Sequence, residues 1–354
     1  MGDKAAKEPI GVLLLNLGGP DSLQAVKPFL YNLFSDRQII KLGPEFLQKP
    51  IAWLISTTRH KKTEGFYSLI GGKSPILDIT NAQAKALEAA LNSGLLTLNS
   101  EKSPHPPFVK GGRGGIRVFV GMRYWHPLIE EVVPEIHNAG IRKLIVISLY
   151  PQYSLATTGS SLSKFREVAS KYKMEVFCIE SWFNHPLYIE ALVDVIKKGI
   201  ESFNQQSAIS NQLSVHDIHI LFSAHSLPQK FIDEGDPYVH QIKGTIEEIA
   251  KRIEIKWHLS YQSKSGPVKW LEPSTDEKLK ELAAKGVRNI LVVPISFVSD
   301  HIETLYEIDI LYRQMAEELG LCLRRTESLN THPVFIEAMR DIIMENVKEL
   351  NWIG

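Results

Sequence analysis

Two stretches of this sequence gather side chains that could move protons or hold a metal ion. Ile220-Leu-Phe-Ser-Ala-His-Ser-Leu-Pro228 puts His225 into what reads as the turn after a short apolar strand, and Pro294-Ile-Ser-Phe-Val-Ser-Asp-His-Ile-Glu303 does the same with His301 and Glu303. Imidazole titrates near neutrality, which makes it the usual proton carrier at physiological pH. A carboxylate within its reach adds a second proton site or an oxygen ligand for a divalent cation. Glu307, four residues beyond Glu303, shares a helical face with it. His301 and Glu303 fall on different sides of a regular helix, so only an irregular or wide first turn would bring both to one site. No thiolate accompanies the set and no His-Glu-x-x-His pattern occurs. That composition argues against a tight structural zinc and suits a borderline metal such as iron, held weakly.

Other strand ends carry matching equipment. Asn16-Leu-Gly-Gly-Pro20 lacks both the Gly-x-Gly-x-x-Gly spacing and a Walker lysine, so no phosphate cradle is expected and no nucleotide requirement follows. Gly18 and Gly19 either let the backbone approach a flat ligand or make a tight turn. Arg59-His-Lys-Lys-Thr-Glu-Gly-Phe-Tyr67, followed by Ile70-Gly-Gly-Lys-Ser-Pro75, offers forks and point charges for a carboxylate-bearing ligand, or is a solvated helix face. Gly121-Met-Arg-Tyr-Trp-His-Pro127 flanks an arginine with aromatic rings, a floor for a large conjugated plate. Tyr150-Pro-Gln-Tyr-Ser-Leu-Ala-Thr-Thr-Gly-Ser-Ser161 clusters small hydroxyls, and Ser263-Lys-Ser-Gly-Pro-Val-Lys-Trp270 is again basic and aromatic. Imidazole, carboxylate, guanidinium and indole on one rim are hard to explain as packing alone.

The elements that must position these groups alternate strand and helix, the signature of parallel α/β sheets, in which ligands sit outside the carboxyl ends of the strands. Eight strands are expected, at 10–16, 116–121, 143–149, 174–180, 218–222, 257–262, 290–295 and 322–325. Amphipathic helices are expected at 186–203, 276–285 and 333–350, and a segment opening with turn chemistry at 236–252. Four strands on each side of Asn184-His185-Pro186 give two similar halves, 1–185 and 186–354, each a Rossmann-like four-stranded parallel sheet flanked by helices. The stretch 98–115 mixes Pro, Gly and charge without period and reads as a disordered surface insertion.

A chain of 354 residues is long enough for two cores. Forty basic residues balance forty acidic ones, so no global field recruits nucleic acid, and charge-guided binding must be local. Cys178 and Cys322 are the only cysteines, which excludes a disulfide scaffold and fits a reducing cytoplasm. From the polar amino terminus no export signal is expected, and none for myristoylation, since Ala6 stands where that signal wants Ser or Thr. No apolar run reaches membrane-spanning length, so bilayer contact could only be peripheral.

Over nearly its whole length the sequence resembles the ferrochelatase family, the enzymes that insert ferrous iron into a porphyrin. The resemblance rests on Leu15-Asn-Leu-Gly-Gly-Pro20, Tyr150-Pro-Gln-Tyr153, Thr157-Thr-Gly-Ser-Ser161, Leu221-Phe-Ser-Ala-His-Ser-Leu-Pro228 with Gly235-Asp-Pro-Tyr238, Ser299-Asp-His-Ile-Glu-Thr-Leu-Tyr-Glu307 and Glu327-Ser-Leu-Asn330. It implies two Rossmann-like domains with a porphyrin cleft between them, conversion of protoporphyrin IX to protohaem with release of two protons, and no use of ATP. Relatives of the same fold that take coproporphyrin III or insert cobalt are the nearest alternative. A haem or metal carrier without catalysis is the more distant one.

Carried over residue by residue, the resemblance makes His225 the imidazole facing the macrocycle centre, Glu303 its carboxylate partner and His301 the second histidine. His225 and Glu303 would also meet the metal. It puts Arg59, Lys62, Tyr67 and Ser74 on propionate and rim contacts, Arg123 and Tyr124 on the ring edge, Trp270 at the cleft mouth and Leu17 against the opposite porphyrin face. His225, neutral at working pH, would accept one pyrrole proton, and Glu303, helped by His301, the second; Asp300 and Glu307 would feed the ion or drain protons. Iron is then a substrate, and no prosthetic group is expected. Leu155 replaces the internal cysteine of cluster-bearing relatives and the chain ends at Trp352-Ile-Gly354 without cysteines, so no iron–sulfur cluster is expected. Leu311 interrupts the acidic line of Glu303 and Glu307.

Overall fold

The computed structural model of the chain describes residues 8–97, 115–205 and 217–353. The expected insertion at 98–115 lies outside the described residues apart from Gly115. The first half carries β1 (Ile10–Asn16), α1 (Val26–Ser35), α2 (Glu45–Leu69), α3 (Ile76–Thr97), β2 (Ile116–Met122), α4 (Ile129–Asn138), β3 (Lys143–Ser148), α5 (Ser160–Ala169) and β4 (Glu175–Ile179). The second carries α6 (Pro186–Gln205), β5 (Ile218–His225), α7 (Gln229–Asp233), α8 (Tyr238–Ala250), β6 (Lys256–Gln262), α9 (Thr275–Ala284), β7 (Asn289–Pro294), α10 (Arg313–Glu318), β8 (Cys322–Arg325) and α11 (Pro333–Glu349).

The strand orders, β2-β1-β3-β4 and β6-β5-β7-β8, are the same arrangement used twice, with every pairing parallel. The two-sheet α/β class is as the sequence predicts. One strand runs further than its apolar residues suggest. Beyond Phe222, the small residues Ser223 and Ala224 keep pairing with Ser260 and Tyr261, and His225 pairs with Gln262. His225 is therefore the last residue of a paired strand and not part of a turn, which fixes its backbone.

Pleating sends alternate residues of the central strands to opposite faces. In β1, Leu13 and Leu15 meet α4 and α5, whereas Val12 and Leu14 join a core that also contains Ile220 and Phe222 of β5. Leu221, turned the other way, packs with Leu279, Leu282 and Ile308. The largest core thus runs through both halves. Helix α11 enters it through Phe335, Met339, Ile343 and Val347, and it also binds the first half directly, since Arg340 Nε donates to the Ala90 carbonyl of α3 at 3.2 Å. A smaller apolar cluster, Val26, Phe29, Leu30, Tyr67 and Tyr124, seats α1 and α2 over the end of the first sheet.

Candidate active site

The carboxyl ends of β1, β3, β5 and β7 converge on a cleft of about 690 Å³, counting its open mouth, and Leu17, Tyr150, His225, Phe297, His301 and Glu303 are among its walls. His225 and Glu303 meet there: Nδ1 of the imidazole lies 2.7 Å from Oε2 of the carboxylate. The His225 backbone N–H is held by Ser296 Oγ at 2.9 Å and its carbonyl by the Tyr238 hydroxyl at 3.0 Å, so the ring is aimed by its main chain as well as by its partner.

Glu303 opens a π-helix, Glu303–Tyr312. His301 precedes this helix and lies outside it, so the spacing of the two residues on a regular helix places no limit on their meeting at the cleft, and wide turns of this kind gather at functional sites. His301 is buried, and its Nδ1 lies 3.0 Å from the Ser299 carbonyl. A carbonyl can only accept, so Nδ1 carries the proton and Nε2 keeps its lone pair. The His301 ring packs edge-on against Phe297 at 4.3 Å, and Phe297 in turn edges His225 at 6.3 Å.

Burial disfavours charge on all these groups, and their partners decide the outcome. Burial pushes His225 down, but the Glu303 carboxylate, with Glu307 behind it, outweighs this and leaves its pKa above that of free imidazole. His301 has weaker compensation and is pushed down. Glu303 resists burial through the His225 charge and hydrogen bond and falls below the usual carboxylate range. Glu307, disfavoured by burial and then by the neighbouring Glu303 charge, is pushed up to about 7. Two carboxylates four residues apart are therefore pushed in opposite directions, an arrangement that separates acid from base.

The remaining candidates lie further out. Tyr67 is a buried phenol whose ionisation is suppressed by burial and then by the Glu303 charge, and the same causes act on the half-buried Tyr150 of the cleft wall. Arg59 and Lys62 stand on α2. Arg59 Nη1 donates to Ser265 Oγ at 2.8 Å, bridging the two halves, and Lys62 Nζ sits 5.6 Å from the centre of the Phe66 ring. Phe66 stacks on Tyr306 of the π-helix at 4.3 Å. Trp270 is half-buried, its Nε1 3.5 Å from the Gly266 carbonyl.

Four expectations change. Arg123 and Tyr124 are not at an open ring edge, because Asp36 Oδ2 takes Arg123 Nη2 at 2.6 Å, the Tyr124 hydroxyl at 2.7 Å and Ser160 Oγ at 2.6 Å. Ser74 is buried against Gly19, where a Cβ on the glycine would stand 2.5 Å from Ser74 Oγ, and Gly18 has φ +81° with Met122 and Trp125 3.1 Å from the place of a Cβ. The two glycines thus make a tight turn under close packing. Asp300 is not a free acid. Its oxygens take Arg325 Nη1 at 3.0 Å, Ser328 Oγ at 2.8 Å, Thr304 Oγ1 at 3.1 Å and Asn330 Nδ2 at 2.9 Å. Lastly, His225 is a stronger base than an unperturbed imidazole.

Sequence reasoning passed over Ser263 and Gln262. Ser263 Oγ lies 2.7 Å from Glu303 Oε2 and 2.6 Å from Glu307 Oε2. Gln262 Nε2 donates to the Glu303 carbonyl at 3.0 Å and to Glu307 Oε2 at 3.2 Å. Gln262 ends and Ser263 follows the strand whose partner carries His225, and register with β5 was the signal that could have found them.

Comparison with known proteins gives a consistent picture. The family model described as Ferrochelatase matches residues 9–347. A ferrochelatase of Geobacter metallireducens is 48% identical over 340 residues, covering 95% of this chain and 98% of its own. Those of Geotalea uraniireducens and a Synechocystis species are 47% and 44% identical over 344 and 349 residues, with 96% of this chain covered in each case and 98% and 83% of their own lengths. Among solved structures, SirB from Bacillus subtilis with Fe3+ superposes with a TM-score of 0.52 at 10% identity, covering 98% of both chains, which shows a shared fold.

Proposed function

The chain belongs to the ferrochelatase family, and we propose from that premise that it inserts ferrous iron into protoporphyrin IX to give protohaem, releasing two protons. The 2.7 Å contact of His225 Nδ1 with Glu303 Oε2 on the cleft wall carries this reading. With Nδ1 occupied, Nε2 is the atom that meets a pyrrole N–H. An anion behind Nδ1 strengthens Nε2 as a base and stabilises the imidazolium once it forms, the role a buried carboxylate plays behind other catalytic histidines. Glu303 then takes the second proton or contacts the incoming Fe2+ as an oxygen ligand.

A flat macrocycle presents its lone pairs poorly to an entering ion, so walls that hold the ring bent lower the barrier. Leu17 and Tyr150, on the segments following β1 and β3, supply apolar contact for one face. Arg59 and Lys62, on the helix beside the mouth, suit the ring's carboxylates. In this reading residues 1–185 form the half that grips the ring and residues 186–354 the half that does the chemistry.

Iron is cargo here, and the reaction needs no prosthetic group. The two cysteines are fewer than the four thiolates of the common iron–sulfur clusters, which supports that reading. Among the described residues no helix is long and apolar enough to cross a membrane. We place the protein in the cytoplasm, touching a bilayer peripherally if at all. Phe46, Trp53 and Leu54 stand exposed on α2 for such contact, with Lys27 Nζ 5.7 Å from the Trp53 ring centre.

The test is loss of free-porphyrin absorbance on adding Fe2+ without oxygen, run side by side with protoporphyrin and coproporphyrin. His225→Ala should abolish insertion while porphyrin fluorescence still reports binding. Near-normal turnover by that variant would overturn the assignment of the base.

A further inference from the structure

Between the two walls of the cleft stands Gly235-Asp-Pro-Tyr238, which links α7 to α8. Gly235, with φ +97°, ends α7 and turns the chain. Asp236 then reaches out of its own half. Its Oδ2 accepts from the Ser154 hydroxyl at 2.9 Å and from the Leu155 N–H at 2.7 Å, both in the first half, while Oδ1 accepts from the Tyr238 N–H at 3.0 Å.

Each end of this bridge leads to the cleft. Leu155 opens a second wide turn, the π-turn Leu155–Gly159, which follows β3 as the π-helix follows β7, the strand in the same place of the other sheet. The first N–H groups of a helical turn have no partner within it, and for Leu155 the Asp236 carboxylate is that partner. Thr157 of this turn lines the cleft. Tyr238 lines it from the other half, and its hydroxyl holds the His225 carbonyl at 3.0 Å. Gln152 Nε2 and the Tyr153 N–H make their own bonds to α8, to Thr245 Oγ1 at 3.1 Å and to Gln241 Oε1 at 2.7 Å. The halves therefore stay joined without Asp236, and what its carboxylate adds is the placement of the turn beyond Tyr153.

We propose that Asp236 is a positioning residue for metal insertion: its carboxylate sets the distance between the Thr157 wall and His225, and with it the seat of the ring over the imidazole. The donors divide between its two oxygens, so only a group with two acceptor atoms satisfies both walls. Asparagine has the same shape and one such oxygen. Its NH2 would face either the Leu155 N–H or the Tyr238 N–H, donor to donor, and one wall would be released. A misplacement of about 1 Å is enough to cost roughly 10²-fold in rate.

The inference rests on the chelatase reading, and the experiment keeps the two apart. Two variants cut the bridge from opposite ends. Asp236→Asn removes one acceptor. Leu155→Pro removes only an N–H, at a helix start that suits proline and after Ser154, whose φ −142° and ψ 148° are those of a residue preceding proline. Both should fold, with Tm above the assay temperature, because the Gln152 and Tyr153 bonds remain. In anaerobic insertion each is expected to lose about 10-fold or more in kcat, Leu155→Pro being scored against Leu155→Ala, which keeps the N–H. KM for porphyrin and for Fe2+ should stay within about twofold. The double variant should lose no more than the worse single one, because the bonds act in series. Retained kcat in either variant, losses that multiply in the double variant, or a loss confined to KM would each overturn the positioning role while leaving the chelatase intact. Should one variant fail to fold, the other decides alone by its kcat. Failure of the unaltered protein to convert porphyrin would instead sink the chelatase reading itself.

Discussion

Asp300 separates two ways of reading an acidic residue beside a catalytic histidine, as a path for ions or as a buttress. Its carboxylate accepts from Arg325, Ser328, Thr304 and Asn330 at 2.8–3.1 Å, and its side chain is 19% exposed. Asp300→Ala would leave the Arg325 guanidinium with a bidentate bond to Asp309, at 2.9 and 2.7 Å, but without its second anion. Breaking one side of a buried ion pair costs about 3–5 kcal/mol. Because Asp309 still neutralises the guanidinium, the lower end applies, about 3 kcal/mol. The loss should appear as a lower urea midpoint with an unchanged slope. Its pH dependence has a definite sign. Burial alone would raise the Asp300 pKa, yet Arg325 and the three neutral donors hold it below the usual carboxylate value. The stabilisation is therefore present above the unfolded-state pKa and disappears as pH falls through the folded one, so mutant and parent should converge in acid. KM for Fe2+ should change little. A variant as stable as its parent, with iron KM raised tenfold, would refute the buttress and restore the ion path.

The other expectations are shorter. Asp36→Ala should cost about 3–4 kcal/mol by the same urea measurement, because it strands Arg123, Tyr124 and Ser160 together; Asp36 is held below its usual pKa despite burial, so this loss too should fade in acid. Glu307→Gln should have the opposite pH signature. A carboxyl whose folded pKa is raised to about 7 weakens the fold as pH climbs from the unfolded value through the folded one. The amide should therefore stabilise the protein above pH 7 and make no difference below about 4, and equal stability across that window would contradict a Glu307 carboxyl pushed up by burial and the Glu303 charge.

Strands were legible in the sequence because the central ones are buried on both faces and read as continuous apolar runs. The bounds of β1 and β8 match expectation, whereas β5 extends past its apolar residues because pairing continues through Ser223 with both β6 and β7 and through Ala224 with β6. The convergence of His225 and Glu303 was legible from strand-end logic. Partners far apart along the chain were not. Arg123 looked like a ligand contact because its anion, Asp36, sits 87 residues upstream, and Asp300 looked free because Arg325 lies 25 residues on. Nothing local distinguishes a charge bound for a ligand from one bound for a buried partner.

The two halves contribute unequal rigidity to the cleft, and this bears on how a stiff plate could enter it. Its floor is fixed: the shared core runs beneath it, Gln83 of α3 donates to Ser299 Oγ at 3.0 Å and the Asn330 carbonyl at 2.8 Å, and Gln152 donates to Thr245 Oγ1 at 3.1 Å. These buried amide bonds tie the first half to the loop preceding His301 and to the helix α8 that follows His225 in the chain. The mouth is held more lightly, by an exposed Arg59–Ser265 bond at 2.8 Å and the Phe66–Tyr306 stack. An exposed hydrogen bond contributes about 1 kcal/mol and an aromatic pair about the same, so opening the mouth is cheap compared with deforming the floor.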